Sequence, residues 1–335
     1  MKKSIIQLLL FLIVPLLCFA LLEIAARQIY LPHSDMFPKS RSFLKVKDSV
    51  EVIFTGHSHA EKGIDPSYIS MPAFNLSYSA QDMYYNQKLI SKISSEIPKA
   101  EILIIALDYF VFGYDQSKST MYYVKDYFSV WNILPANGFS YSFFLNSSVF
   151  WLHRIKFFKD FFHNKGHKKE FAFADSYQAP DLAQDTQILL SSGYRYSSGS
   201  MDEAELISDA KTKAIRNIAM YDTTLESKNF ELLTKMCRDF LSNVGGNRQI
   251  MLIYLPLHEK YHKAVPQEIK ERSFELINKL TVTNDRIDFY DFTGLYNGKD
   301  HLYLNADHLN NKGAASFSQY LDSLLIRRQE TSLYN

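Results

Sequence analysis

A chain of 335 residues can bury one large α/β core or one such domain with a sizeable insertion, and two equal compact domains are not expected. Its 37 basic and 36 acidic residues leave a formal net charge of +1, so no global field draws nucleic acid to it and nucleic-acid binding is set aside. Aromatic residues make up 15%, with 22 Tyr and 25 Phe, which suits a Phe-rich core or a surface facing a membrane or polysaccharide.

The first predicted element is a membrane anchor, residues 1–30. Lys2 and Lys3 precede an apolar segment, Ile5 to Leu22, interrupted only by Gln7 and Pro15 and closed by Glu23 and Arg27. A helix needs about 20 residues to cross the hydrocarbon core, and the flanking lysines favour a cytoplasmic N-terminus, so the chain beyond residue 30 is expected outside the cytoplasm. A cleaved signal peptide competes with this reading, but the run is long and no clean small-x-small site comes after it. Leu17 before Cys18 fits a lipoprotein cleavage box poorly. With Cys18 in the anchor, Cys237 is the one thiol of the folded part and no disulfide within it is available.

Residues 31–50, with two prolines and mixed charge, read as a linker. Five apolar runs occur across residues 51–330: "VEVIFTG", "AFNLSYS", "EILIIALDY", "RQIMLIYLP" and "RIDFYDF". Apolar runs of this length, spaced by helical patterns, predict a parallel sheet covered on both faces. Before the fourth run, Leu232, Leu233, Met236, Cys237, Phe240 and Leu241 form a helical stripe ended by Gly245-Gly246, which puts Cys237 in a core rather than at a reactive site. Between about 110 and 200 the alternation fails, and a largely helical insertion over the sheet is expected. Within it "WLHRIKFFKDFFHNKGHKK" interleaves aromatic and basic residues, as a membrane-surface helix or a cover helix with a solvated basic face would.

In a doubly wound sheet the functional crevice lies beyond the carboxyl ends of the strands. The first run delivers the chain to Gly56-His57-Ser58, so Ser58 is a candidate nucleophile, although G-x-S after a strand is more often a plain turn. His308, entering the final helix, is a candidate general base at the same sheet edge. His57 and His59, with His301 and Asp307, invite a metal reading, but alternate residues of an extended strand point to opposite faces, and no metal or other cofactor is expected. His163 and His167 stand at helical i, i+4 spacing in a polar stretch.

"GHSHAEKGIDP" resembles the first block of membrane-anchored bacterial SGNH/GDSL-like proteins, and "NADHLNNKGA" their last block, D-x-x-H-L-N-x-x-G-A. "NLSYSAQDMYY" and "IALDYFVF" fall where the second and third blocks belong. Relatives of this kind include the D-alanyl transfer protein of teichoic acid modification and accessory acetylation proteins of exopolysaccharide systems. The resemblance implies a three-layer flavodoxin-like SGNH fold with a central parallel sheet. It also implies an extracytoplasmic transferase or esterase that works with a polytopic membrane-bound O-acyltransferase on the O-acylation, chiefly O-acetylation, of a surface glycan. By the same resemblance Ser58 attacks the acyl carbonyl, His308 takes its proton, and Gly56, Ser77, Ser79 and Asp108 line the oxyanion or substrate side. Two departures stand out. Asn305 occupies the place of the family's acid and can orient an imidazole without stabilising its charge, while the adjacent Asp307 is expected to point elsewhere and cap the last helix. Asp108 occupies the place of an asparagine and cannot donate to an oxyanion. The alternative they leave open is a catalytically impaired SGNH-fold accessory protein that binds glycan or docks the acyltransferase.

Overall fold

The computed structural model describes residues 2–30, 34, 36–115, 122–136, 148, 150, 172–174, 187–242 and 248–333. The chain forms two compact units, Met1–Pro38 with Lys118–Phe171, and Lys39–Ser117 with Ala172–Asn335.

The first unit contains helices α1 (Lys2–Tyr30) and, after the helix α2 (Met36–Val46) that straddles its boundary, α5 (Tyr122–Trp131). Within α1, Phe11–Tyr30 is long and apolar enough to cross a membrane, with mean hydropathy 1.9, and Phe11, Leu16, Leu17, Leu21 and Ile24 are exposed. Glu23, set among these apolar residues, is neutralised locally: it pairs with Arg27 at 2.7 Å and accepts from the Ser148 hydroxyl at 2.7 Å and the Phe150 amide at 3.0 Å. The basic-aromatic stretch 151–169, with His163 and His167, lies outside the described residues, as does Gly245-Gly246.

The second unit is built on the five apolar runs. They form β1 (Val52–Thr55), β2 (Ala73–Asn75), β3 (Ile102–Leu107), β7 (Gln249–Tyr254) and β8 (Ile287–Asp291), all parallel, in the order β2-β1-β3-β7-β8. This is the flavodoxin-like order 2-1-3-4-5, whose topological switch point lies between its first and third strands. On one face Val52, Phe54, Ile104, Met251 and Ile253 pack with Phe317, Leu321 and Leu325 of α10 (Asn311–Leu333). On the other, residues such as Ile53, Leu103 and Leu252 are equally buried, and Tyr254 meets Phe274 of α9 (Gln267–Val282). Burial on both faces explains why the central strands β1, β3 and β7 read as unbroken apolar runs.

The connections carry α3 (Ser58–Gly63) after β1, α4 (Met83–Ile93) after β2, and α6 (Glu203–Met220), α7 (Glu226–Ser242) and α8 (Glu259–Ala264) around β7. The expected stripe on α7 is buried at Leu233, Met236, Cys237, Phe240 and Leu241, and burial pushes the Cys237 thiol well above its ordinary pKa.

Two segments carry elements that the sequence reading does not name. The expected linker contains α2, with Met36, Lys39 and Phe43 buried at helical spacing; Pro38 falls in its first turn, where the missing amide costs no intrahelical bond. The segment read as largely helical holds β4 (Ala172–Ala174), β5 (Gln187–Leu190) and β6 (Arg195–Ser197), which form a small three-stranded sheet. Strands of three or four residues are too short to print a period.

Candidate active site

The switch point between β1 and β3 concentrates the candidate residues. The chain leaves β1 through Gly56, whose φ of +149° and close approach to β3 both demand glycine: a Cβ there would lie 2.7 Å from the Ala106 carbonyl oxygen. His57 then caps α3, its Nδ1 accepting from the His59 amide at 3.4 Å, and Ser58 is the first helical residue. Asp108 comes directly after β3 at the same sheet edge, and its Oδ1 accepts from the Phe110 amide at 2.8 Å.

His308 arrives from the far end of the chain on a hairpin, β9 (Tyr303–Asn305) against β10 (His308–Leu309). Its Nε2 lies 2.8 Å from Ser58 Oγ. On the other side of the ring, Nδ1 lies 3.0 Å from Asn305 Oδ1, which also accepts from the backbone amides of Asp307 at 3.3 Å and His308 at 3.0 Å. An Nδ1–H donating to Asn305 leaves Nε2 with a lone pair facing the serine hydroxyl, the tautomer a general base requires.

Asp307 does not point away. Its Oδ1 lies 2.7 Å from His308 Nδ1, and Lys213 Nζ touches the same oxygen, while Oδ2 lies 3.7 Å from His59 Nε2. The tight turn centred on the Asn305 side chain, with a register shift between His308 and Leu309, rolls the Asp307 carboxylate back toward its neighbour's ring. The helix cap expected of Asp307 is supplied by Asn310, whose Oδ1 accepts from the amides of Lys312 and Gly313 at 3.0 Å each. Burial alone would raise the Asp307 carboxyl, but the His308 and His59 rings hold it well below the usual carboxylate range. Burial lowers the pKa of His308 against the opposing pull of Asp307, so the ring is neutral at pH 7.

The residues expected on the oxyanion side are occupied. Ser77 is fully buried: its amide donates to Asn75 Oδ1 at 3.0 Å, its carbonyl accepts from Lys39 Nζ, and its hydroxyl has no hydrogen-bond partner. The Ser79 hydroxyl donates to Glu61 Oε2 at 2.6 Å. Asp108 Oδ2 faces His57 Nε2 at 3.4 Å.

His57 and His59 do not point to opposite faces as expected, because the pair opens a helix instead of lying on a strand. Their rings stand 4.3 Å apart, and His59 stands 5.0 Å from His308. Two sets, His57 with His59 and Asp108, and His59 with Asp307 and His308, bring one donor atom each within 4.8 Å of one another. His57 accepts through Nδ1, which places its proton on Nε2, a buried atom that lies 3.4 Å from Asp108 Oδ2 without a hydrogen-bond partner, and burial holds this ring neutral, its pKa down to about 4.

The sequence places Asp307 away from the His308 ring, because adjacent residues in extended chain diverge; Lys213 carries no motif signal, and Glu61, although inside the first motif block, has nothing there to mark it as part of the site. No protein-family model matches the chain, and no curated protein matches it. Among solved structures, the crystal structure of a lipase from a goat rumen metagenome matches with 9% sequence identity and a TM-score of 0.34, covering 82% of this chain and 96% of that one. A likeness that shallow carries no argument; the class is set by topology and site, a doubly wound α/β domain with a serine–histidine pair at its switch point.

Proposed function

We propose that the chain is an SGNH-type acyl-ester transferase or esterase, anchored by α1 with its second unit outside the cytoplasm, that serves the O-acylation of a cell-surface glycan. The observation that carries the chemistry is the 2.8 Å contact between Ser58 Oγ and His308 Nε2 at the carboxyl edge of the sheet. His308 removes the hydroxyl proton as Ser58 attacks an ester carbonyl, then returns it to the departing alcohol, leaving an acyl group on Ser58. Attack by water completes hydrolysis, and attack by a glycan hydroxyl completes transfer, with His308 again taking the proton. Asn305 holds the tautomer, and Asp307 supplies the negative charge that the imidazolium needs. The Ser58 amide, the first of its helix and without an intrahelical acceptor, is one oxyanion donor.

The glycan substrate, acetyl as the acyl group and a polytopic O-acyltransferase as partner come from the resemblance of the motif blocks around Ser58 and His308. A non-catalytic reading, a domain that binds glycan or docks such an acyltransferase, is favoured by Asp108, whose carboxylate opposes an oxyanion where the family pattern has an amide donor, and by the engaged Ser77 amide. Labelling with a serine-directed fluorophosphonate separates the two. Wild type labels, and Ser58→Ala and His308→Ala each lose labelling and at least about 10³-fold of ester turnover. Equal labelling of all three proteins ends the catalytic reading.

A further inference from the structure

Helix α6 brings a cation to Asp307, the carboxylate that touches the His308 ring among the described residues. Its start is fixed by reciprocal bonds between Asp202 and Glu205, and its buried stripe of Leu206, Ala210 and Ala214 seats it against the domain. From its flank Asp209 and Lys213, one turn apart, reach the Asn305–His308 turn. Asp209 Oδ2 accepts from the Ala306 amide at 3.0 Å and pairs with Lys213 Nζ at 3.0 Å. Lys213 Nζ in turn touches Asp307 Oδ1, the same oxygen that lies 2.7 Å from His308 Nδ1.

We propose that Lys213 is a positioning residue that shares Asp307 Oδ1 with His308, fixing the carboxylate and limiting the negative charge presented to the ring, with Asp209 pinning both to the turn. The assignment of a base role to His308 rests on the function proposed above; the electrostatic coupling of Lys213 to His308 does not. A carboxylate serving the imidazole alone would hold its proton tightly and delay release of the base. A carboxylate divided between a lysine and an imidazole stabilises the imidazolium less and keeps the ring neutral at lower pH.

The charged and titratable groups facing His308 are Asp307 from its own hairpin, His59 and Lys62 from α3, and Lys213 from α6, with Asp209 behind Lys213. Burial is the largest influence lowering the His308 pKa; Asp307 raises it, and Lys62 and Lys213 lower it. Removing the charge of Lys213 therefore moves the titration of His308 to higher pH, and keeping a cation there leaves it in place.

The test is a histidine-selective NMR titration of the full chain in detergent, with His308→Gln assigning the resonance. Lys213→Met, which keeps the aliphatic stem, moves the His308 titration to higher pH, and Lys213→Arg leaves it near wild type. Lys213→Gln gives the same reading if the Met variant does not fold. An unmoved or lowered titration in the neutral variants overturns the proposal, as does an equal upward shift in Lys213→Arg. Because the titration needs no turnover, it is separable from failure of the catalytic reading, which fluorophosphonate labelling of Ser58 reports. In an active preparation the acid limb of kcat/KM tracks the NMR shift.

Discussion

At His308 two oxygens approach one ring nitrogen and contribute different things. Asn305 Oδ1 is neutral and, through three contacts to Nδ1 and two backbone amides, fixes the ring and the turn together. Asp307 Oδ1 is nearer and charged. Two unit charges about 4 Å apart in a protein-like medium interact by about 4 kcal/mol, so losing the charge while keeping the shape costs the imidazolium roughly a thousandfold. Asp307→Asn is accordingly expected to lower kcat by roughly 10²–10³-fold with little change in KM. An unchanged kcat in steady-state ester hydrolysis would remove Asp307 from the site. Ser58, His308 and Asn305 were legible because each falls in a motif at the end of an element. Asp307 was not, because residues i and i+1 diverge in regular strands and only the irregular turn brings them together.

Among the elements, the central strands β1, β3 and β7 were readable because each is buried on both faces and leaves a continuous apolar run, while β8, only partly buried, keeps charged residues within its run. The pieces that brace α3, the helix bearing Ser58, were hidden. Glu61, one turn beyond Ser58 and 1% exposed, meets Arg195 of β6 at 3.0 Å and Lys39 of α2 at 3.6 Å, and those cations are 4% and 0% exposed. Lys39 reads as a linker charge and Arg195 as one residue of the expected helical insertion, since a sequence shows burial only through periodicity, and charges buried as a cluster break the apolar pattern. Burial would raise the Glu61 carboxyl, but Arg195 and Lys39 hold it down to about 2. Glu61→Gln removes the carboxylate charge that Arg195 and Lys39 both meet, and breaking a buried pair in this way costs about 3–5 kcal/mol. Urea unfolding should show that loss, together with weaker fluorophosphonate labelling as the seating of α3 loosens. A variant as stable as wild type would mean that the charge of Glu61 does not hold α3 in place.

Over the whole molecule, the burial that keeps His57 and His308 neutral couples stability to pH. His57 is pushed from 6.5 down to about 4, chiefly by burial, and His308 is lowered for the same first reason. In the unfolded chain both rings take up protons near pH 6.5, while the folded chain refuses them, so the unfolded state binds more protons and stability falls as pH drops below 6.5. For His57 this loss continues to about pH 4, steepened by about 1.4 kcal/mol per pH unit for each such group. Glu61 enters later: its stabilisation is complete above its unfolded value near 4.5 and is lost as pH falls toward about 2. Urea midpoints measured at half-unit steps from pH 7.5 to 4 should decline steadily below 6.5, and His57→Gln should flatten part of that decline. A midpoint level between pH 7 and 4.5 would mean that these rings accept protons in the folded chain. Imidazoles that accept protons so readily would leave Ser58 without a neutral base in mildly acidic surroundings, so the midpoint series bears on the chemistry as directly as on the fold.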